Sequence, residues 1–387
     1  MKHLVNPDVQ NIQISGIRQI ADKIKTYSDV VSLTIGEPDF QTPSNIKESG
    51  KKAIDNNQTF YAPNPGILGA REAASNFLER NYGLTYDLNS EIIVTNGSTE
   101  ALFIALKTVL CPNDEVIIPT PTYPGYEPVI TMCGGKIVPV DVTSTNFKLT
   151  KEQLRSAITP QTKALILPYP SNPTGAILTK EEVAELAEVL KDKDIFVLSD
   201  ELYSELVFEE NHVSIAEFPQ MREKTIVING VSKSHAMTGW RVGFTFAPAY
   251  LTAEMLKVHQ YVNTSVNTIA QEAAIEALYN GQPDVTIMKN AYQSRRDFLC
   301  KRLKEIGFDV TVPDGTFYVF PDVSPFSSNS YDFCMDVLEN ARVGILPSTV
   351  FTYGGKQHVR ISFAYSMEKL EEAMNRLETY LQKKKGE

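Results

Sequence analysis

The sequence predicts an α/β fold: a large domain on a mostly parallel sheet, with a smaller α+β domain beside it. Three observations lead there. Short Val/Ile-rich runs bounded by turn residues alternate with helical patterns through the middle of the chain. The helical patterns are apolar on one face only, as helices covering a sheet must be. From about residue 285 onward this alternation stops, and a long charged helix is followed by shorter strands.

The strand runs are Glu91–Thr95, Glu115–Ile118, Lys136–Val140, Ala164–Leu167, Ile195–Leu198, Thr225–Ile228 and Val242–Phe246. Between the first two, Leu102, Ala105, Leu106, Val109 and Leu110 form the i, i+3, i+4, i+7, i+8 stripe of a helix. Later, Thr179 and Glu182 form a capping box, and Val183, Leu186, Ala187 and Leu190 continue the stripe. Helices are expected on both faces of the sheet. The charged helix spans roughly Asp284 to Ile306, with strands expected at Asp309–Val312, Thr316–Phe320 and His358–Phe363 and a terminal helix from Met367. Residues 46–284 are therefore expected to form the large domain. Residues 1–45, which precede the sheet and lack its pattern, are expected to join 285–387 in the small one. A site would lie in the cleft between them.

Composition narrows the function. A net charge of −10 opposes a general nucleic-acid binder, which needs a basic face, but permits a local basic pocket. Cys111, Cys133, Cys300 and Cys334 are widely spaced with no Cys-x-x-Cys pair, which reads as buried or incidental thiols in a reducing compartment. Met1–Asn11 has no apolar core of signal-peptide length, and no apolar run approaches the roughly 18 residues of a membrane span. The expectation is a cytoplasmic protein with no membrane partner. No metal, P-loop or dinucleotide motif is present.

In open α/β sheets, functional groups collect in loops after the carboxyl ends of strands, and four loops here are informative. Asn96-Gly97-Ser98-Thr99 opens into a helix from Glu100, and its small residues leave backbone N–H groups free for a phosphate. The helix dipole adds about 0.3–1 kcal/mol for an anion there. An ordinary helix cap fits the same residues. Pro168-Tyr169-Pro170-Ser171-Asn172-Pro173-Thr174-Gly175 is a stiff loop that fixes the Asn172 amide, or simply a turn. Ser199-Asp200-Glu201-Leu202-Tyr203 places a carboxylate at the end of a buried strand, costly unless it meets a cation, or else capping a following helix. Asn229-Gly230-Val231-Ser232-Lys233 sets a lysine among small residues after a buried strand, with Arg241 eight positions on. Such a lysine suits covalent attachment to a carbonyl, although lysines are usually solvated surface charges.

Together, in this order and spacing, Ser-Asn-Pro-Thr-Gly, Ser-Asp-Glu-x-Tyr and Ser-Lys-x(7)-Arg-x-Gly resemble the fold-type I, class I/II aminotransferases over essentially the whole chain. The opening Leu33-Thr34-Ile35-Gly36-Glu37-Pro38-Asp39-Phe40, the Tyr61-Ala62-Pro63-x-x-Gly66 segment and Val359-Arg360-Ile361-Ser362-Phe363 agree. The resemblance implies pyridoxal 5′-phosphate as cofactor and no metal. Lys233 would hold the cofactor and shuttle the substrate proton. Asp200 would pair with the ring nitrogen, Asn172 and Tyr203 with the phenolic oxygen, and Tyr123 would stack on the ring. Gly97, Ser98, Thr99, Ser232 and Arg241 would hold the phosphate. Tyr61 would reach the partner subunit's cofactor, making the active unit a homodimer. Arg360 would bind the substrate α-carboxylate beside Gly36 and Asn172. His235 is the one histidine expected near the lysine, or packed behind it.

Two positions depart from the family pattern. Many relatives carry a phosphate-contacting serine where Gly230 stands, so one contact is lost or supplied by backbone. Some acidic-substrate relatives carry a lysine at the Thr99 position. Within the family, Ile14-Ser15-Gly16-Ile17-Arg18, Tyr123-Pro124-Gly125-Tyr126-Glu127-Pro128 and Lys233-Ser234-His235-x-Met237-Thr238-Gly239-Trp240-Arg241 resemble the bacterial N-acetyl-L,L-diaminopimelate aminotransferases. That implies transfer between N-acetyl-L,L-2,6-diaminopimelate and 2-oxoglutarate in lysine biosynthesis, with Ile12, Ile14 and Ile17 as apolar pocket candidates. Aromatic-amino-acid aminotransferase activity is the alternative, and a β-lyase of the same fold a further one.

Overall fold

The computed structural model describes residues 1–351 and 357–386. A seven-stranded sheet forms the large layer, in the spatial order Ile92–Thr95, Gly243–Phe246, Thr225–Gly230, Phe196–Asp200, Thr162–Leu167, Glu115–Thr120, Lys136–Asp141. Every neighbouring pair is parallel except those of Gly243–Phe246, which runs antiparallel to both strands beside it.

The strand period of two explains why these runs are apolar almost throughout. Ile118, Ile166, Leu198 and Ile228 pack on one face against Leu102, Leu106 and Met255 of the Ser98–Val109 and Ala249–Val262 helices. Ile117, Leu165 and Val197 point the other way, onto Leu186 and Leu190 of the Lys180–Leu190 helix. Farther along that second face, Val94, Val227 and Phe244 meet the Leu68–Tyr82 and Thr268–Asn280 helices. The expected capping box at Thr179 and Glu182 forms, with both reciprocal hydrogen bonds present.

A further core gathers Tyr292, Leu299 and Leu303 of the Gln282–Ile306 helix, Phe333 and Val337 of Ser330–Ala341, and Leu370, Met374 and Leu377 of the terminal helix Met367–Gly386. Val31 and Leu33 join it, and Val31–Ser32 pairs in parallel with Val343–Gly344. A small antiparallel sheet, ordered Leu346–Pro347, Val359–Ser362, Tyr318–Val319, completes this part. Among the described residues no helix is long and apolar enough to cross a membrane.

The sequence reading needs correction in three places. Asp309–Val312 is not a strand and makes only an isolated bridge from Asp309 to Asp322. Pro313 follows without an N–H, and Gly315 and Thr316 turn away to donate to the Gly175 and Leu206 carbonyls at 2.9 and 2.7 Å. The run expected at Thr316–Phe320 shortens to Tyr318–Val319, since Thr316 is left-handed at φ 65°. No helix follows Asp200 for it to cap; residues 202–205 form turns.

Candidate active site

A cavity of about 370 Å³ opens at the carboxyl ends of the central strands. The Phe196–Asp200 strand ends on Asp200, paired in register with Ile228, and its neighbour Thr225–Gly230 runs on into the loop holding Ser232 and Lys233. Four chain segments distant in sequence thus deliver Ser98 and Thr99, Asn172, Asp200 and Tyr203, and Lys233 to one lining.

Lys233 points inward, and its Nζ donates to the Gly36 carbonyl. Burial is the largest cause holding its pKa down at about 8; the nearby Arg360 and Arg241 guanidinium groups add to it, while Glu37 and Asp200 oppose it. At neutral pH an appreciable fraction of this amine is therefore unprotonated, which an exposed lysine is not. The Asp200 carboxylate accepts from the Tyr126 hydroxyl at 2.7 Å and from the Leu202 N–H at 3.3 Å. Burial raises its pKa, and those hydrogen bonds oppose the rise.

Arg360 is 1% exposed. Its Nη1 donates to Asn172 Oδ1 at 3.0 Å and its Nη2 to the Thr34 carbonyl at 2.7 Å, while Nε has no partner. The guanidinium lies 4.2 Å from the Tyr318 ring centroid. Among the described residues no carboxylate pairs with it. A buried cation without an anion is costly, so this group is arranged to receive one. With its oxygen engaged by Arg360, Asn172 is left its amide N–H groups to face the cavity.

At the opposite end, Gly97 sits at φ 77° and precedes the Ser98–Val109 helix. A β-carbon on it would collide with the Arg241 guanidinium, so only glycine lets the arginine lie against this turn. Arg241 is itself left-handed at φ 56° and donates to the Thr238 carbonyl at 3.0 Å. Free helix N–H groups, two hydroxyls and a guanidinium converge there, which is the donor set a phosphate requires.

Tyr203 is buried, with its hydroxyl 3.0 Å from that of Tyr318. Tyr123 lines the cavity edge-on to Tyr126 at 5.4 Å. Gly36 and Ile17 also line it. Ile14 does not: it is 72% exposed and faces a neighbouring groove that also takes Ile12. The cause is local. Ile17, Ile20 and Ile24 share the inward face of the Gly16–Ile24 helix, whereas Ile14 precedes that helix. Tyr61 is 88% exposed and lies outside this chain's own cavity. His235 is buried away from the lining, 2.8 Å from Ser234 Oγ, and burial lowers its pKa to about 4. Gly230 also lies off the cavity, paired with Gly243 in the sheet, where a β-carbon would meet the Val242 carbonyl at 3.0 Å. A serine there would crowd the ladder.

Tyr126, Tyr318, Glu37 and Leu102 also line the cavity, although the sequence assigns them no role in a site. Tyr126 stands three residues after Tyr123 in the same motif. Tyr318 carried no local signal, because its place depends on where the small sheet packs.

The class I and II aminotransferase model matches residues 28–377. A probable N-acetyl-LL-diaminopimelate aminotransferase of Bacillus subtilis is 49% identical, covering 100% of this chain and 98% of the relative. Aromatic-amino-acid aminotransferase 2 of Thermococcus litoralis is 39% identical, over 99% of this chain and 97% of its own. The crystal structure of the aromatic aminotransferase from Pyrococcus horikoshii OT3 superposes with a TM-score of 0.90 at 40% identity, covering 95% of this chain and 99% of that one.

Proposed function

This chain belongs to the class I and II aminotransferases, and we propose that it exchanges the amino group of N-acetyl-L,L-2,6-diaminopimelate with 2-oxoglutarate, in the cytoplasm, as a step of lysine and diaminopimelate synthesis. It is a pyridoxal-5′-phosphate-dependent transferase. The cavity fits that cofactor: a buried amine, a carboxylate and a glycine-floored phosphate cradle share one lining. When bound, the cofactor supplies a carbonyl that joins amines and a ring that takes up electron density from the substrate α-carbon.

In this reading Lys233 holds the cofactor, then takes up and returns the proton at the substrate α-carbon. Asp200, oriented by Tyr126, keeps the ring nitrogen protonated. The Asn172 amide and the Tyr203 hydroxyl hold the phenolic oxygen, and Tyr123 covers the ring face. Gly97, Ser98, Thr99, Ser232 and Arg241 take the phosphate. Arg360 takes the α-carboxylate, with Gly36 beside it. The observation that carries the reading is the buried, anion-free Arg360 facing the same cavity as Lys233 and Asp200. We read residues 46–284 as one domain and 1–45 with 285–387 as the other, supported by the pairing of Val31–Ser32 with Val343–Gly344.

The substrate reading is supported by the Bacillus subtilis relative and by the apolar part of the lining. Once Arg241 meets phosphate, Lys233 the cofactor and Arg360 the α-carboxylate, no described cation of this chain's lining is left for a distal carboxylate, whether of aspartate, of 2-oxoglutarate or of the acetylated substrate. Ile17, Leu102 and Tyr123 offer a mostly apolar wall. Acetylation removes the distal ammonium charge of the proposed substrate, so it needs no buried acidic partner. Hydroxyl or amide donors are left to hold its distal carboxylate. The same wall suits aromatic amino acids, the second reading. Half-reaction kinetics across an amino-acid panel should give the highest kcat/KM for the acetylated substrate. A tenfold preference for phenylalanine or tyrosine, about 1.4 kcal/mol of transition-state binding, would overturn the first reading in favour of the second. Release of pyruvate and ammonia from cysteine conjugates without a keto acid would instead indicate the β-lyase.

The outward-facing Tyr61 adjoins the equally exposed Phe60. We propose that in a homodimer Tyr61 completes the partner's phosphate site. Sedimentation and activity measured on dilution should then fall together, and a fully active monomer contradicts the shared site.

A further inference from the structure

Behind the phosphate cradle lies a buried carboxylate–imidazole pair to which the proposed chemistry assigns no role. Glu100 is in the first turn of the Ser98–Val109 helix, and His259 is on the Ala249–Val262 helix packed against it. His259 is fully buried, and its Nδ1 lies 2.9 Å from Glu100 Oε1. Its Nε2 has no partner, so nothing draws the ring proton away from Nδ1, which donates to the carboxylate. Asn263, just past the same helix, donates from Nδ2 to Glu100 Oε2 at 3.1 Å. That same oxygen accepts the backbone N–H of Asn96.

A carboxylate is costly to bury unless its lone pairs are used. Here two partners come from the end of one helix, and the third is the peptide through which the chain enters the Gly97 turn. The turn has little freedom of its own: Gly97 lies against Arg241, and a β-carbon on Gly243 would come within 2.7 Å of the Ser98 nitrogen. Displacing Asn96 would therefore move the N–H groups of 97–99 relative to the Arg241 guanidinium.

We propose that Glu100, held by His259 and Asn263, is a positioning residue that fixes the phosphate-binding turn and so sets the protein's preference for a phosphorylated cofactor. This rests on the phosphate role proposed for Ser98, Thr99 and Arg241. The test compares dissociation constants of the cofactor-free protein for pyridoxal 5′-phosphate and for pyridoxal, which lacks the phosphate. Glu100→Gln keeps the volume but cannot accept from all three partners. It should weaken pyridoxal-5′-phosphate binding by about 10–100-fold, the range found when the group supporting a metal ligand is removed, and pyridoxal binding by no more than about threefold. The phosphorus NMR line of the bound cofactor should shift as well. Asn263→Ala, at a half-buried edge, should cost less with the same selectivity, and it decides the matter if circular dichroism finds Glu100→Gln misfolded. Arg241→Ala is measured in parallel. If it collapses the ratio of the two constants while folded Glu100→Gln and Asn263→Ala leave it intact, the clamp is wrong and the phosphate site stands. If Arg241→Ala also leaves the ratio intact, the phosphate assignment fails and the clamp with it.

Discussion

Lys233→Ala is expected to fold, bind the cofactor through its phosphate contacts, lose the visible absorbance of the lysine-bound cofactor, and lose nearly all turnover. The fold should survive because the lysine amine makes one hydrogen bond, to the Gly36 carbonyl, and its charge is disfavoured by burial. Removing it leaves a small void rather than an unpaired ion. Loss of a general acid-base group alone costs roughly 10²–10⁴-fold, and loss of covalent attachment adds to this. Single-turnover kinetics with glutamate, and an absorbance spectrum of the same sample, check both parts. A variant with wild-type turnover removes Lys233 from the mechanism.

Asp200→Ala is the second large effect. Asp200 is the carboxylate at the cavity floor, aimed by Tyr126 and the Leu202 N–H. Without it the ring nitrogen has no anion to keep its proton. One charge-assisted hydrogen bond is worth about 1.5–3 kcal/mol in ordinary settings. Catalysis should suffer at the upper end of that range or beyond, about 10²–10³-fold, because charge develops at that ring during the reaction. Asp200→Asn should lose comparable activity while preserving shape, which separates charge from packing. Wild-type transamination by a cofactor-loaded Asp200→Ala protein would rule out the ring-nitrogen role.

The sequence was legible where a local pattern sufficed. Most sheet strands showed as short apolar runs because both faces are covered along the middle of the sheet, whereas the edge strand Lys136–Asp141 has no buried residue and was legible from its Ile137, Val138 and Val140 alone. Asp309–Val312 shows the limit: its composition allowed a strand, but Pro313 and the departure of Gly315 toward Gly175 left it no ladder. In the cavity, Lys233, Asp200 and Asn172 stand in motifs whose spacing is local. Tyr318 beside Tyr203, and His259 beside Glu100 across 159 positions, are products of packing alone. Ile14 misled because apolar residues near a helix start look alike until the inward face is known.

The antiparallel course of Gly243–Phe246 has a consequence for how the cavity is dimensioned. Because that strand runs against Thr225–Gly230, the chain leaves the sheet at Gly230 and re-enters it at Gly243 on the same rim. Lys233 and Arg241 thus hang from one short excursion, with only the three-residue 3-10 turn Thr238–Trp240 between them. If these two groups hold the carbonyl-bearing position and the neighbouring phosphate arm of the cofactor as proposed, the intervening stretch acts as a ruler. Its length in residues sets the span between the two grips. Adding or deleting one residue there would change that span even with every side chain of the lining kept.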